Sequence, residues 1–256
     1  MVSWRELRED LVILEDDQVL AVNKPAGISV MGERHATDLV RMAKEEGERL
    51  YPVHRIDKVT SGAVLFAKDL AAHGRLTRQF TKRTVDKVYL AIIPGPGLPE
   101  VGTIDLPLFT ASSGRVRVAA QRESIAEAGN RWHVPQAETF SHTTIYPSVT
   151  TFATAWSDDE HAVLVVRPVS GRRHQIRVHL AWIGHAIVGD PLFDKSVAPD
   201  ARTHLHSWRL DITLRGRVHL EAPPQPDFWT PLAPRIDHVH ALKLATDAIE
   251  RLPNPD

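Results

Sequence analysis

Apolar and polar positions follow two rhythms along this 256-residue chain. Short unbroken apolar runs predict buried strands: Val19–Val22 in QVLAVNKP, stopped by Asn23-Lys24-Pro25; GAVLFA, 62–67; KVYLAII, 87–93, ended by Pro94-Gly95; and AVLVVRPV, 162–169. An unbroken run implies a strand covered on both faces. GTIDLPLF and GRVRVAA read as strands of a meander, TTFATAW as an alternating strand, and WRLDITL as a late strand. Helical spacing predicts a helix in ATDLVRMAKEEGERL, 36–50, capped by Thr37 with Leu39, Met42 and Ala43 inward. A second spans KDLAAHGRLTRQFTKR, 68–83, with Leu70, Leu76 and Phe80 inward and Arg75, Arg78, Lys82 and Arg83 outward. A third spans RHQIRVHLAWIGH, with Ile176, Leu180 and Ile183 on one stripe and Gly184 as terminator. The last covers 235–251, with Ile236, Val239, Leu242 and Ile249 inward. Residues 121–150 are polar and unpatterned, and are expected as a surface loop or insertion. Strands outnumber helices and few βαβ units appear. The expected fold class is α+β, a large mixed, mostly antiparallel sheet flanked by helices. One domain is expected over 1–256.

Composition narrows the function classes. The chain is 43% apolar and 25% charged, which supports a core of its own. Its formal net charge is −1, so no global field favours a polyanion, and such a partner must be met by local basic patches. With no Cys, disulfides, thiolate metal sites and Cys nucleophiles are excluded. No apolar run approaches the roughly 18–20 residues of a membrane span, and MVSWRELRED has no apolar signal core. A soluble cytoplasmic protein, with no membrane partner, is expected. HLH at 204–206 and HVH at 238–240 lack the helical spacing of a zinc site, so no metal is expected. Dinucleotide, Walker and nucleophile-elbow motifs are absent.

Two stretches carry candidate chemistry. In VHRIDKVTSGAVLFAK, 53–68, Asp57 precedes a Thr60-Ser61-Gly62 turn that feeds a buried strand. A turn paired to Arg55 or Lys58 is the plain reading, since Asp favours turns. The alternative is a carboxylate held rigidly by the strand behind it. In SGRRHQIRVHLAWIGHAIVGD, 170–190, Arg172, Arg173 and His174 stand where a strand gives way to a helix, and free N–H groups there favour anions. Residues 167–177 contain four Arg and no acid. Arg177 adjoins the apolar stripe, and a buried Arg needs an anion, for which Asp57 is one candidate. Tyr89 sits inside a strand, where packing is the ordinary role.

Together these stretches resemble the RNA pseudouridine synthases of the RluA family. EDDQVLAVNKPAGISV resembles the family's opening motif, HRIDKVTSGAVLFAK its catalytic motif, and FTKRTVDKVYLAIIPG its Lys-x-Tyr-x-Ala segment. GRRHQIRVHLAWIGHAIVGDPLF is similar to the third signature, and LHSWRL and APPQPDF to the closing strands. The matches run in family order from about residue 11 to 228. Ser170 stands where Thr is usual, Ala186 replaces a Pro, and 121–150 has no counterpart. A motif start near residue 11 leads to the expectation of no separate N-terminal RNA-binding domain.

The resemblance implies an enzyme that detaches uracil from ribose, turns it and rejoins it through carbon 5, with no cofactor. It places Asp57 as the catalytic carboxylate, Tyr89 under the uracil and Arg177 opposite Asp57. Arg55 is implied to fill the stack left by a flipped base, Lys24 to steady the catalytic loop, and His54, Thr60, Arg172, Arg173 and His174 to face RNA. Rather than telling ribosomal from transfer RNA, it suggests a target in a loop or bulge; a monomer is expected. The alternative is an RNA-binding or chaperone-like protein with a dormant site. A carboxylate glycoside hydrolase is disfavoured because no second acid is apparent near Asp57.

Overall fold

A computed structural model describes residues 3–32, 37–198 and 200–254. In chain order come α1 (Trp4–Leu11), β1 (Val12–Glu15), β2 (Val19–Lys24), α2 (Leu39–Glu45), β3 (Tyr51–Pro52), β4 (Ser61–Ala67) and α3 (Leu70–Thr81). There follow β5 (Asp86–Pro94), β6 (Val101–Asp105), β7 (Leu108–Thr110), β8 (Val116–Val118), β9 (Ala126–Ala128) and β10 (Arg131–His133). The remainder comprises β11 (Val149–Ser157), β12 (His161–Pro168), α4 (Gln175–Trp182), β13 (Leu205–Thr213), β14 (Arg217–Glu221) and α5 (His238–Ala248). The class is α+β, with a large mixed and mostly antiparallel sheet and helices, as the sequence predicts. The chain divides into two compact units, Met1–Tyr89 with Leu205–Asp227, and Leu90–His204 with Phe228–Asp256. Strand β5 carries the chain from the first to the second.

In the first unit the pairing order is β1-β2-β4-β13-β14. All these pairs are antiparallel except β4 with β13, which run parallel with Ser61 opposite His206. Successive side chains of a strand point to opposite faces. Val19, Ala21, Ala63, Leu65 and Ala67 accordingly meet Ala72 and Leu76 of α3. Leu20, Val22, Val64 and Phe66 meet Trp4 and Leu11 of α1 and Leu39 and Ala43 of α2. Cover on both faces explains the unbroken apolar runs. Each large side chain buried this way contributes about 1.5–3 kcal/mol.

The helix starts correct two expectations. Asp38, not Thr37, caps α2 by accepting from Arg41 N–H at 2.9 Å, while the buried Thr37 hydroxyl finds no partner among the described residues. The Asx carboxylate reaches the free amides of the first turn. Ala36, where that helix was expected to begin, lies outside the described residues. Asp69 caps α3 through Ala72 N–H at 2.8 Å. The cap sets the helix phase, so Leu70 stands 69% exposed and the inner stripe is Ala72, Leu76 and half-buried Phe80.

In the second unit the pairing order is β12-β11-β6-β10-β9. Strand β11 is antiparallel to β12 and β6, and β10 is parallel to β6 and antiparallel to β9. Residues 121–150, expected as loop, thus contain two three-residue strands and single 3₁₀ turns at Arg122–Ser124 and Gln136–Glu138. Segments this short carry no periodicity to read. Helix α5 buries Ala241, Ala245 and Ala248 and packs on β11 and β12, while Val239 stays exposed. The close seam selects small residues rather than the larger apolar ones expected to face inward. Helix α4 is buried from Gln175 to Ala181, with Trp182 at its end half-buried. No helix of the described residues is long and apolar enough to cross a membrane.

Candidate active site

The turn carrying Asp57 is fixed from several directions. Val53 and Ile56 are buried on its N-terminal side, in separate apolar clusters. Thr60 N–H donates to Asp57 O at 3.0 Å, closing the turn, and Thr60 itself is buried. Lys24, wholly buried at the end of β2, donates to Pro25 O and Ile28 O, each at 2.8 Å, and to Lys58 O at 3.3 Å. A buried ammonium is costly unless its donors are used, and three carbonyls take three N–H groups. Gly27 N–H donates to the same Lys58 carbonyl at 2.9 Å. Lys24 therefore locks the residue next to Asp57.

Behind the turn, Gly62 adopts φ +110°, and a Cβ there would lie 2.1 Å from Ser207 O. Only glycine permits the approach of β4 to β13. Ser61 Oγ lies 2.8 Å from His206 Nδ1, and His206 Nε2 2.8 Å from Ala222 O. A carbonyl only accepts, so Nε2 carries the proton and Nδ1 accepts from Ser61.

Tyr89 reaches the same region from β5, packed against the cluster that holds Ile56 and Val64. Burial pushes its phenol up to about 12; the charge of Asp57 adds to the rise, and a hydrogen bond with Ser207 opposes it. The phenol is neutral at neutral pH. His54 accepts from Leu65 N–H at 3.0 Å through Nε2 and stacks on Phe80 at 4.5 Å between ring centres. Burial, with Lys87 nearby, holds its imidazole down to about 3, so the ring is a neutral spacer of the loop. Arg55 is exposed and makes no hydrogen bond or ion pair among the described residues. Lys24, His54, Arg55, Asp57, Thr60 and Tyr89 all belong to the first unit.

Arg172, Arg173, His174 and Arg177 belong to the second unit. Arg177 and Asp190 are both buried and form a two-pronged pair, Nε to Oδ2 and Nη2 to Oδ1, each at 2.7 Å. Asp190 also accepts from Leu192 N–H at 3.0 Å. Sequence reasoning missed Asp190 as an anion for Arg177, although it stands in the same signature. Gly189 before it has φ +74°, with room for no Cβ beside Arg202 O. Gln175 was missed too. It accepts from Ser170 Oγ at 2.6 Å and Arg172 N–H at 3.1 Å, and donates to Val149 O at 2.9 Å and Thr150 Oγ1 at 3.0 Å. This fully used amide replaces the missing cap of α4, whose preceding residue, His174, is left-handed at φ 56°. Arg172 lies 4.8 Å over the Tyr146 ring, and Arg173 is exposed. His179 bridges Thr150 Oγ1 at 2.9 Å and Leu106 O at 3.0 Å, and burial holds it down to about 4. No group of three or more His, Asp or Glu side chains that could hold a metal occurs among the described residues.

The family profile described as RNA pseudouridylate synthase matches residues 18–182, a stretch that holds Lys24, Asp57, Tyr89, Gln175 and Arg177 but not Asp190, His206 or Ser207. The chain belongs to that family. This synthase is 31% identical over 211 residues to the dual-specificity RNA pseudouridine synthase RluA of Escherichia coli K12, covering 79% of this chain and 86% of the relative. It is 32% identical over 238 residues to the ribosomal large subunit pseudouridine synthase D of Nitrosomonas europaea, covering 84% and 62%. The solved structure of human RNA Pseudouridylate Synthase Domain Containing 4 has the same fold, with a TM-score of 0.71 at 23% identity, covering 98% of this chain and 97% of that one. The synthase is an RluA-type isomerase that makes pseudouridine in RNA.

Proposed function

We propose that Asp57 is the catalytic carboxylate of this synthase, acting on a uridine flipped out of a loop or bulge of ribosomal or transfer RNA. The observation that supports this reading is the Lys24 lock on Lys58, the residue next to Asp57, whose charge the Tyr89 phenol feels. The N1–C1′ bond breaks, uracil turns, C5 bonds to C1′, the C5 proton leaves and N1 gains one. A carboxylate at the ribose either adds to C1′ or takes the C2′ proton, and both routes need it ionised. The resemblance assigns Arg177 a part in catalysis, and Asp190 fixes its guanidinium plane. Tyr89 serves as the stacking platform under the uracil; its neutral phenol makes it a hydrogen-bond partner rather than a base at neutral pH.

Extruding the base costs a few kcal/mol, least in unpaired RNA. Arg55, exposed two residues before Asp57, has the planar side chain to fill the gap. Lys24 and His54 shape the turn and Thr60 closes it. Arg172, Arg173 and His174 meet phosphates, joined by exposed Arg75, Arg78, Lys82 and Arg83. The enzyme works as a cytoplasmic monomer, without metal or cofactor. The test is tritium release from RNA carrying carbon-5-labelled uridine. Asp57→Asn is expected to lower release by at least about 10³-fold. Unchanged release would overturn the assignment, and wild-type binding without any release would favour the dormant chaperone-like protein.

A further inference from the structure

The proposed chemistry at Asp57 is the same for any uridine, so the choice of uridine must be read elsewhere. Residues 121–150 lie outside the signature motifs, yet they build a cleft of about 610 Å³ against β6 and the segment leading into β11. Pro107, Val134, Ile145 and Pro147 give it apolar walls. Asp105, Arg131, Gln136 and Thr139 give it polar edges, and Arg131 is paired with Asp105 at 2.7 Å. We propose that this cleft binds one unpaired base of the RNA flanking the target uridine, and so helps select the target.

The chemistry of the lining picks the ligand. Its one Arg is offset by its one Asp, so a phosphate gains little there. A neutral flat ring gains on both counts. Proline and aliphatic walls suit its faces, while an amide, a carboxylate and a guanidinium offer donors and acceptors to its edge. The position also fits. Ile145 and Pro147 line the cleft, and Tyr146 between them carries Arg172, one of the expected phosphate contacts. The same insertion is tied to α4. Arg122 donates to Ala181 O at 3.0 Å and lies 5.6 Å over the Trp182 ring, while His179 donates to Leu106 O just before the cleft wall. The cleft is thereby held in register with the helix that bears Arg177.

This inference rests on the RNA-modifying activity but is tested by binding, so it stands or falls separately from the role of Asp57. A pool of RNA hairpins with randomised loops is selected on the intact protein, and on Gln136→Ala and Thr139→Trp, the second filling the cleft from a half-buried position in its lining. Thermal melts identify any variant that fails to fold. The wild type is expected to enrich a fixed base at one loop position, and a folded cleft variant to lose at least about tenfold of that preference. Lys243→Met, on the exposed face of α5, serves as control and is expected to keep the preference. An identical preference in the cleft variants, or none in the wild type, would overturn the proposal.

Discussion

Lys24 and Arg177 are both buried cations beside a functional segment, one in each unit, and they are stabilised in different ways. Lys24 sits on three neutral carbonyls and ties together a loop that local sequence already bends. Arg177 sits on a carboxylate thirteen residues further on, and its planar fork matches both oxygens. A point charge with three rotatable donors suits scattered carbonyls, whereas a fork suits a carboxylate. The first arrangement makes loop geometry depend on neutral dipoles. The second makes helix placement depend on charge balance.

The largest effect expected from this contrast follows Arg177→Met. It leaves Asp190 buried and charged, and should cost about 3–5 kcal/mol in urea unfolding. Replacing both partners, Arg177→Met with Asp190→Leu, should restore most of that stability while activity stays lost. If the double variant were as unstable as the single one, charge balance would not be the controlling factor. Lys24→Met should cost less, about 1–3 kcal/mol, because the groups left behind are neutral. Its turnover should fall more than its melting temperature suggests, since the Asp57 turn loosens. Equal losses at Lys24 and Arg177 would erase the distinction.

These two positions also show how far the sequence speaks. Lys24 was legible because a motif placed it next to Pro25, and the buried β2 and β4 were legible from unbroken apolar runs. Asp190 was not, because the pairing partner of an Arg is a matter of tertiary position. Gln175 was hidden because an amide at a helix start looks polar and ordinary. Leu70 and Val239 misled because hydrophobicity alone does not set helix phase; the Asp69 cap and the alanine seam of α5 do. The strands β9 and β10 were too short to leave a pattern.

Smaller effects sharpen the comparison further. His179 braces α4 and His54 braces the Asp57 turn, and burial keeps both imidazoles neutral, at about 4 and about 3. Both values lie below the unfolded value of about 6.5. The stability they support is complete above pH 6.5 and is lost as pH falls through 4 and then toward 3, because the unfolded chain binds the protons first. Urea midpoints measured from pH 7.5 to 4 should fall below about pH 6.5. His179→Gln, which keeps a donor and an acceptor, should flatten part of that slope. The smallest effect is expected for Tyr89→Phe. It preserves the stacking face and should lower tritium release only several-fold, on the order of one hydrogen bond; a loss as large as that of Asp57→Asn would make the phenol a participant in proton transfer.

The parallel partnership of β4 with β13 joins residues about 145 positions apart, and each unit is assembled from two stretches of the chain. During synthesis the first unit cannot close until Leu205–Asp227 has left the ribosome, and the second waits for Phe228 and beyond. Vectorial folding, the usual refuge of a nascent chain, is therefore denied to both units until residues beyond 204 have emerged. A ribosome stalled before residue 205 should hold β4 with one edge still open, a state in which chaperone occupancy, rather than native structure, protects it.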